Sequence, residues 1–199
     1  MTRRLPAEAR RQQILDAAAG LLLDNGLAGT SVDAVAQRAG IAKGTVYLYF
    51  ASWQDLLGAL RARYAHGLAG RAEAVLGDAD PADPGAVVGA FDRLAAELAG
   101  YVEVNRRLYH ILFQEAGGHE EHTLGLLHHV VRCLLTEAMD QGALTPTDPG
   151  LLARFLLDGL HAVLLPVAHQ DWPDREHVMT SLSELLRRLL APATQAGAS

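Results

Sequence analysis

Four side chains within seven residues set the first chemical question: Lys43, Thr45, Tyr47 and Tyr49 place one cation and three hydroxyls along KGTVYLY. Ammonium and hydroxyl groups donate to phosphate oxygens and base edges, and three hydroxyl-bearing residues so close together are costly to bury. The stretch follows TSVDAVAQRAGIA, in which Val32, Val35, Ala36 and Ala39 share one helical face. Gly40 can end that helix in a left-handed conformation, and Ile41 supplies an apolar plug. The pattern predicts two short helices joined by a tight turn, the second of a length that fits the major groove. A helical hairpin that only packs is the competing reading.

Charge distribution weighs against that competitor. Residues 1–50 hold six Arg and Lys against four acids, a net of +2, whereas the remaining 149 residues carry a net of −8. An acidic chain of net charge −6 with its positive charge gathered at one end has a phosphate-facing end.

From Arg10 to about Leu57 the chain resembles the TetR family of bacterial transcriptional regulators: RRQQILDAAAGLLLDNG, then GTSVDAVAQRAGIAKGTVYLYF, then SWQDLL. The resemblance implies an all-α fold, with a three-helix DNA-binding head and a helical body that binds ligand and dimerises. On that basis the head spans 1–51 and the body 52–199. By the same resemblance Thr30 and Ser31 start the second helix, where family members touch phosphate. Lys43, Gly44, Thr45, Tyr47 and Tyr49 then occupy the recognition helix and its entry. Two positions depart from the family pattern: Trp53 stands where a lysine usually opens the fourth helix, and Leu48 replaces a commonly polar or aromatic residue. Losing a cationic phosphate contact weakens binding without changing sequence preference, and Arg3, Arg4, Arg10 or Arg11 could compensate.

The nine histidines raise a metal or catalytic reading. His119-Glu120-Glu121-His122 has its histidines three apart, not the four of a zinc-protease helix, and no nucleophile elbow, phosphate loop or CxxC pair is present. No enzyme is expected. His122, Leu126, His129 and Cys133 share a helix face, and the last two could bind a soft metal. A metal-responsive regulator therefore stays open as the alternative, behind a neutral polar lining for an organic ligand; no metal or cofactor is assigned. Arg154, Asp158 and His161 form a second polar group at helical spacing, read first as an ordinary surface ion pair. The aromatics Tyr64, Tyr101, Tyr109, Phe113 and Phe155, joined by His129, Cys133 and His161, are the candidate lining of a pocket between body helices.

Helical periodicity positions all of these residues, and strand signals are nearly absent. Ile14, Leu15, Ala18, Leu21 and Leu22 form an inward stripe on the first helix. Ser52 followed by Asp55 reads as a capping box, opening a fourth helix that runs to about Leu76. GDADPADP, residues 77–84, is a linker. Asp83-Pro84 and Asp148-Pro149 repeat one helix-start signal. The first opens a helix through about Tyr101, with a shorter one from Arg106 to Glu115. A further helix covers Glu121 to Asp140, the second signal opens Pro149 to about His169, and Asp174 starts the last.

Wide apolar faces on the last two helices, including Phe155, Gly159 and Val163, then Leu182, Leu185, Leu186 and Leu189, can be buried within one chain or paired with their copies in a four-helix dimer interface, which the family resemblance favours. A homodimer presents two recognition helices to a palindromic operator. With 50% apolar residues the chain is no disordered protein, and no apolar run approaches the ~18 residues that span a bilayer. A polar N-terminus and a single cysteine, Cys133, make a reducing cytoplasm the expectation, with no membrane partner. The expected function is a repressor released from double-stranded DNA by a small organic effector.

Overall fold

The computed structural model describes residues 6–115, 125–164 and 175–190. Among them the chain forms eight α-helices and no strand: α1 (Ala7–Asn25), α2 (Val32–Arg38), α3 (Lys43–Tyr49), α4 (Trp53–Leu76), α5 (Pro84–Tyr109), α6 (Gly125–Asp140), α7 (Pro149–Leu164) and α8 (Arg175–Leu189). A six-residue π-helical turn, His110–Glu115, follows α5 directly. The all-α expectation holds.

Helix ends follow local chemistry. The Asp83 carboxylate accepts from Gly85 N–H and that of Asp148 from Leu151 N–H, both at 2.8 Å, so each Asp-Pro pair caps a first turn. At α4 the Ser52 hydroxyl accepts from Asp55 N–H at 3.1 Å, while the Asp55 carboxylate accepts from Ala51 N–H at 2.9 Å. That is the reciprocal logic of a capping box, reaching one residue further back than the usual form.

One expected boundary is absent. The helix opened by Asp83-Pro84 does not stop near Tyr101 but continues to Tyr109. Glu103 and Asn105 interrupt the apolar pattern without breaking the backbone, because neither Pro nor Gly lies between 101 and 109. Asn105 Nδ2 donates to the Tyr101 carbonyl at 2.9 Å, a bond within the helix. The His119–His122 group and the start at Asp174 lie outside the described residues.

The chain divides into two compact units. The first joins residues 1–64 with 107–123, so the three-helix head, the start of α4 and the π-turn pack as one body. Ile14, Leu15, Leu22, Val35, Val46, Phe50, Leu56 and Leu57 form its core, each nearly or wholly buried. The second unit comprises 65–106 with 124–199. There Phe91, Leu94, Leu156, Leu160 and Leu186 pack α5, α7 and α8 together, leaving a gap of only about 20 Å³. Ser183 Oγ donates to Asp92 at 2.5 Å and Arg187 lies 3.5 Å from the same carboxylate, pinning α8 to α5.

Candidate nucleic-acid interface

The turn between α2 and α3 is built by backbone hydrogen bonds. Gly40 has φ +65°, its N–H donates to Gln37 O at 3.1 Å, and Ile41 N–H donates to Ala36 O at 3.0 Å. These two bonds close a Schellman motif, which an L-residue at position 40 would strain. Gln13 Nε2 donates to Ala39 O at 2.9 Å, tying α1 to the end of α2. Arg38 meets Asp24 at 2.5 Å and its guanidinium lies across Gly20, where an added Cβ would sit 2.7 Å from a guanidinium nitrogen. These contacts fix α2 against α1, and the Schellman turn sets the direction in which α3 leaves it.

On α3 only Val46 is buried. Thr45 and Tyr49 are half-buried, while Lys43, Gly44, Tyr47 and Leu48 face outward. Two of the three hydroxyl-bearing residues on α3, Thr45 and Tyr49, are therefore turned partly toward the head. Leu48, noted in the sequence only as a departure, is 82% exposed. Its helical spacing from Lys43 and Gly44 was the signal that placed it on the outer face.

Thr30 and Ser31 serve the start of α2. Thr30 is buried and its hydroxyl donates to Gly26 O at 2.7 Å; Ser31 caps the helix by accepting from Ala34 N–H at 3.3 Å. Lys43 Nζ is 2.7 Å from Asp33, an exposed ion pair. The hydrogen bond to Asp33, then its negative charge, raises the Lys43 pKa above the ordinary lysine value, so the ammonium stays charged. Arg11 stacks over the Phe50 ring at 5.2 Å, which holds a cation beside the end of α3. Arg3 and Arg4 lie outside the described residues.

The candidate ligand residues separate into groups. Tyr64, Tyr109 and Phe113 are buried together in the first unit, with ring centroids 5.0 to 5.8 Å apart. Beside them Arg61 Nε donates to the Leu112 carbonyl inside the π-turn at 2.8 Å, and burial lowers the Arg61 pKa from its ordinary value. In the second unit Tyr101 sits under Arg71 at 4.9 Å, its hydroxyl filling the space that the missing side chain of Gly67 leaves open. His129 and Cys133 are exposed, their Nε2 and Sγ atoms 3.8 Å apart. With Glu73 and Glu137 they line an open groove of about 310 Å³. Arg132 donates to His129 Nδ1 at 3.1 Å, and among the described residues no three His, Cys, Asp or Glu side chains come together to hold a metal. Asp158 pairs with His128 of α6 at 3.4 Å, across helices rather than along its own. His161 is half-buried.

Of the expected dimer residues, Phe155, Gly159, Leu185 and Leu189 face outward, and Val163 is half-buried. Leu182 and Leu186 instead line the core of the second unit against Phe91, Leu156 and Leu160. An apolar arc of about 100° on α8 is wide enough to serve two neighbours, one edge turned to its own chain and one outward.

Geometry of this kind defines an all-helical protein with a helix-turn-helix head. Residues 14–60 match the family of bacterial regulatory proteins named for TetR. The fatty acid metabolism regulator protein of Bacillus subtilis (strain 168) is 44% identical over 45 residues, 23% of this chain and 23% of that relative's length. A solved TetR-family regulator from Pectobacterium atrosepticum superimposes with a TM-score of 0.74 at 21% identity, over 95% of this chain and 100% of that one. FadR of Bacillus subtilis in complex with stearoyl-CoA gives 0.67 at 21% identity, over 90% of this chain and 96% of that one. Over residues 14–60 the chain thus matches the DNA-binding region of TetR-family regulators, and it shares their all-helical fold. No described helix is long and apolar enough to cross a membrane.

Proposed function

We propose that this chain is a cytoplasmic, homodimeric transcriptional repressor that binds a palindromic operator and is released by a small organic effector. The outward face of α3 carries the reading: Lys43, Gly44, Tyr47 and Leu48 stand clear of the core on a helix fixed by a Schellman turn. In this reading residues 1–51 contact DNA, with Ser31, Thr45 and Tyr49 at the margin and Thr30 positioning the start of α2. Residues 52–199 bind effector and form the dimer. Two exposed apolar stripes support association, Leu151, Phe155 and Gly159 on α7 and Leu185 and Leu189 on α8.

The effector reading centres on the aromatic group Tyr64, Tyr109 and Phe113. These rings share a compact unit with the head, and α4 carries both Tyr64 and the capped turn next to α3. π-Helical turns commonly mark functional sites, and this one lies against the rings. An apolar wall of this kind suits a mostly uncharged molecule over a sugar or phosphate. FadR of Bacillus subtilis, similar in fold, binds stearoyl-CoA, whose acyl chain matches such a wall although its CoA part carries ribose and phosphates.

Mobility shift against the DNA upstream of the chain's own gene tests the proposal. A shift at nanomolar protein, lost in Tyr47→Ala with helicity kept, is the expected result. Absence of any shift, or affinity unchanged from wild type in both Tyr47→Ala and Lys43→Ala, would remove α3 from the interface.

A further inference from the structure

Lys43, Gly44, Tyr47 and Leu48 fall within an arc of about 140° on α3, at 100° per residue. Lys43 and Tyr47 bring polar groups to that face, whereas Leu48 brings an isobutyl group that is 82% exposed. The other aliphatic side chain of α3, Val46, is 1% exposed and already serves the core. One turn from Leu48 lies Gly44, where an added Cβ would meet no heavy atom within 4 Å. The face therefore holds an apolar knob beside bare helical backbone, flanked by Tyr47.

Among base edges in the major groove, the thymine 5-methyl is the apolar group; the others present hydrogen-bond donors and acceptors. We propose that Leu48 reads a thymine methyl in each half-site, with Gly44 permitting the helix to approach the base pair closely. The proposal rests on the reading of α3 as the DNA-facing helix and adds a specificity-determining residue to it. Phosphate contacts from Lys43 set affinity and register; the Leu48 contact distinguishes one base pair from the other three.

Deoxyuridine isolates the contact, because it differs from thymidine only by that methyl. The full-length wild-type chain is used to enrich binding duplexes from a random library, and each thymine of the recovered site is then replaced singly by deoxyuridine. Binding is measured for wild type and for Leu48→Ala, whose exposed position should leave the fold unchanged, as circular dichroism checks. At one thymine per half-site the replacement should weaken wild-type binding about fourfold, the worth of one buried methyl, and leave Leu48→Ala unaffected. Other thymines should behave alike in both proteins. A penalty that persists in Leu48→Ala, or no thymine that responds, overturns the assignment while leaving DNA binding intact. Failure of the wild type to enrich any duplex overturns the DNA-binding reading and this inference with it.

Discussion

Replacing Phe155 by alanine should separate association from folding. The side chain is 62% exposed on α7, between Leu151 and Gly159 at four-residue steps. A phenylalanine offers roughly 200 Å² for burial, so about 120 Å² remains open, worth about 3 kcal/mol once covered. A two-fold dimer covers two copies, for an upper value of about 6 kcal/mol. The area that alanine retains, and the incomplete conversion of buried area into affinity, reduce this to about 3–6 kcal/mol. The dissociation constant should then rise by roughly 10²- to 10⁴-fold. Folding of the single chain should change by only about 0.5 kcal/mol, since the substitution removes little that the chain itself buries. Sedimentation across a concentration series reads the first quantity, and far-ultraviolet circular dichroism checks the second. If wild type and Phe155→Ala dissociate over the same concentration range, the α7 stripe is not the interface. If Phe155→Ala loses its helicity, the side chain supports the fold instead.

Three further outcomes follow from the head and the π-turn. Asp33→Ala should free Lys43 and strengthen DNA binding, whereas Lys43→Ala should weaken it and lower the salt slope by about one unit; filter binding at several salt concentrations would expose identical behaviour of the two. Gly40→Ala forces an L-residue to φ +65° at a cost of about 1–2 kcal/mol, so the melting temperature should fall by about 3–8 °C, and an unchanged melt would mean the turn is not held there. Arg61→Met removes the donor to the Leu112 carbonyl, and hydrogen exchange at 110–115 should quicken while DNA affinity is kept; exchange that stays slow would show the turn to be held by packing alone.

Elements defined by short-range chemistry were legible in the residues themselves. Gly40 with Ile41, Ser52 with Asp55 and the two Asp-Pro pairs each act within a few positions, so the sequence displays the whole device. The run of α5 past Tyr101 was not legible, because a drop in apolar periodicity marks a change of neighbours and need not end a helix. Nor was the π-turn, where the carbonyl of Leu112 finds its donor 51 positions away at Arg61. On α3 the residue types identified a surface, but its rotation decided the outcome: Leu48 turned fully outward while Thr45 and Tyr49 moved to the flank. Candidate ligand residues fared similarly. Tyr64, Tyr109 and Phe113 converge, whereas His129 and Cys133 line a groove with two carboxylates, a grouping set by tertiary packing.

The Lys43–Asp33 pair bears on how long such a protein stays at a site. Asp33 belongs to the same chain and pairs with the ammonium at 2.7 Å, so it competes with any phosphate at a local concentration that dilution cannot reduce. Each time the phosphate contact loosens, the carboxylate can recapture the lysine before the phosphate returns. Recapture shortens residence at every position, matched or not, and a chain with net charge −6 has little long-range pull toward DNA to offset it. Retention at the operator then depends on contacts that Asp33 cannot imitate, those to base edges, and a protein scanning the wrong sequence is released sooner.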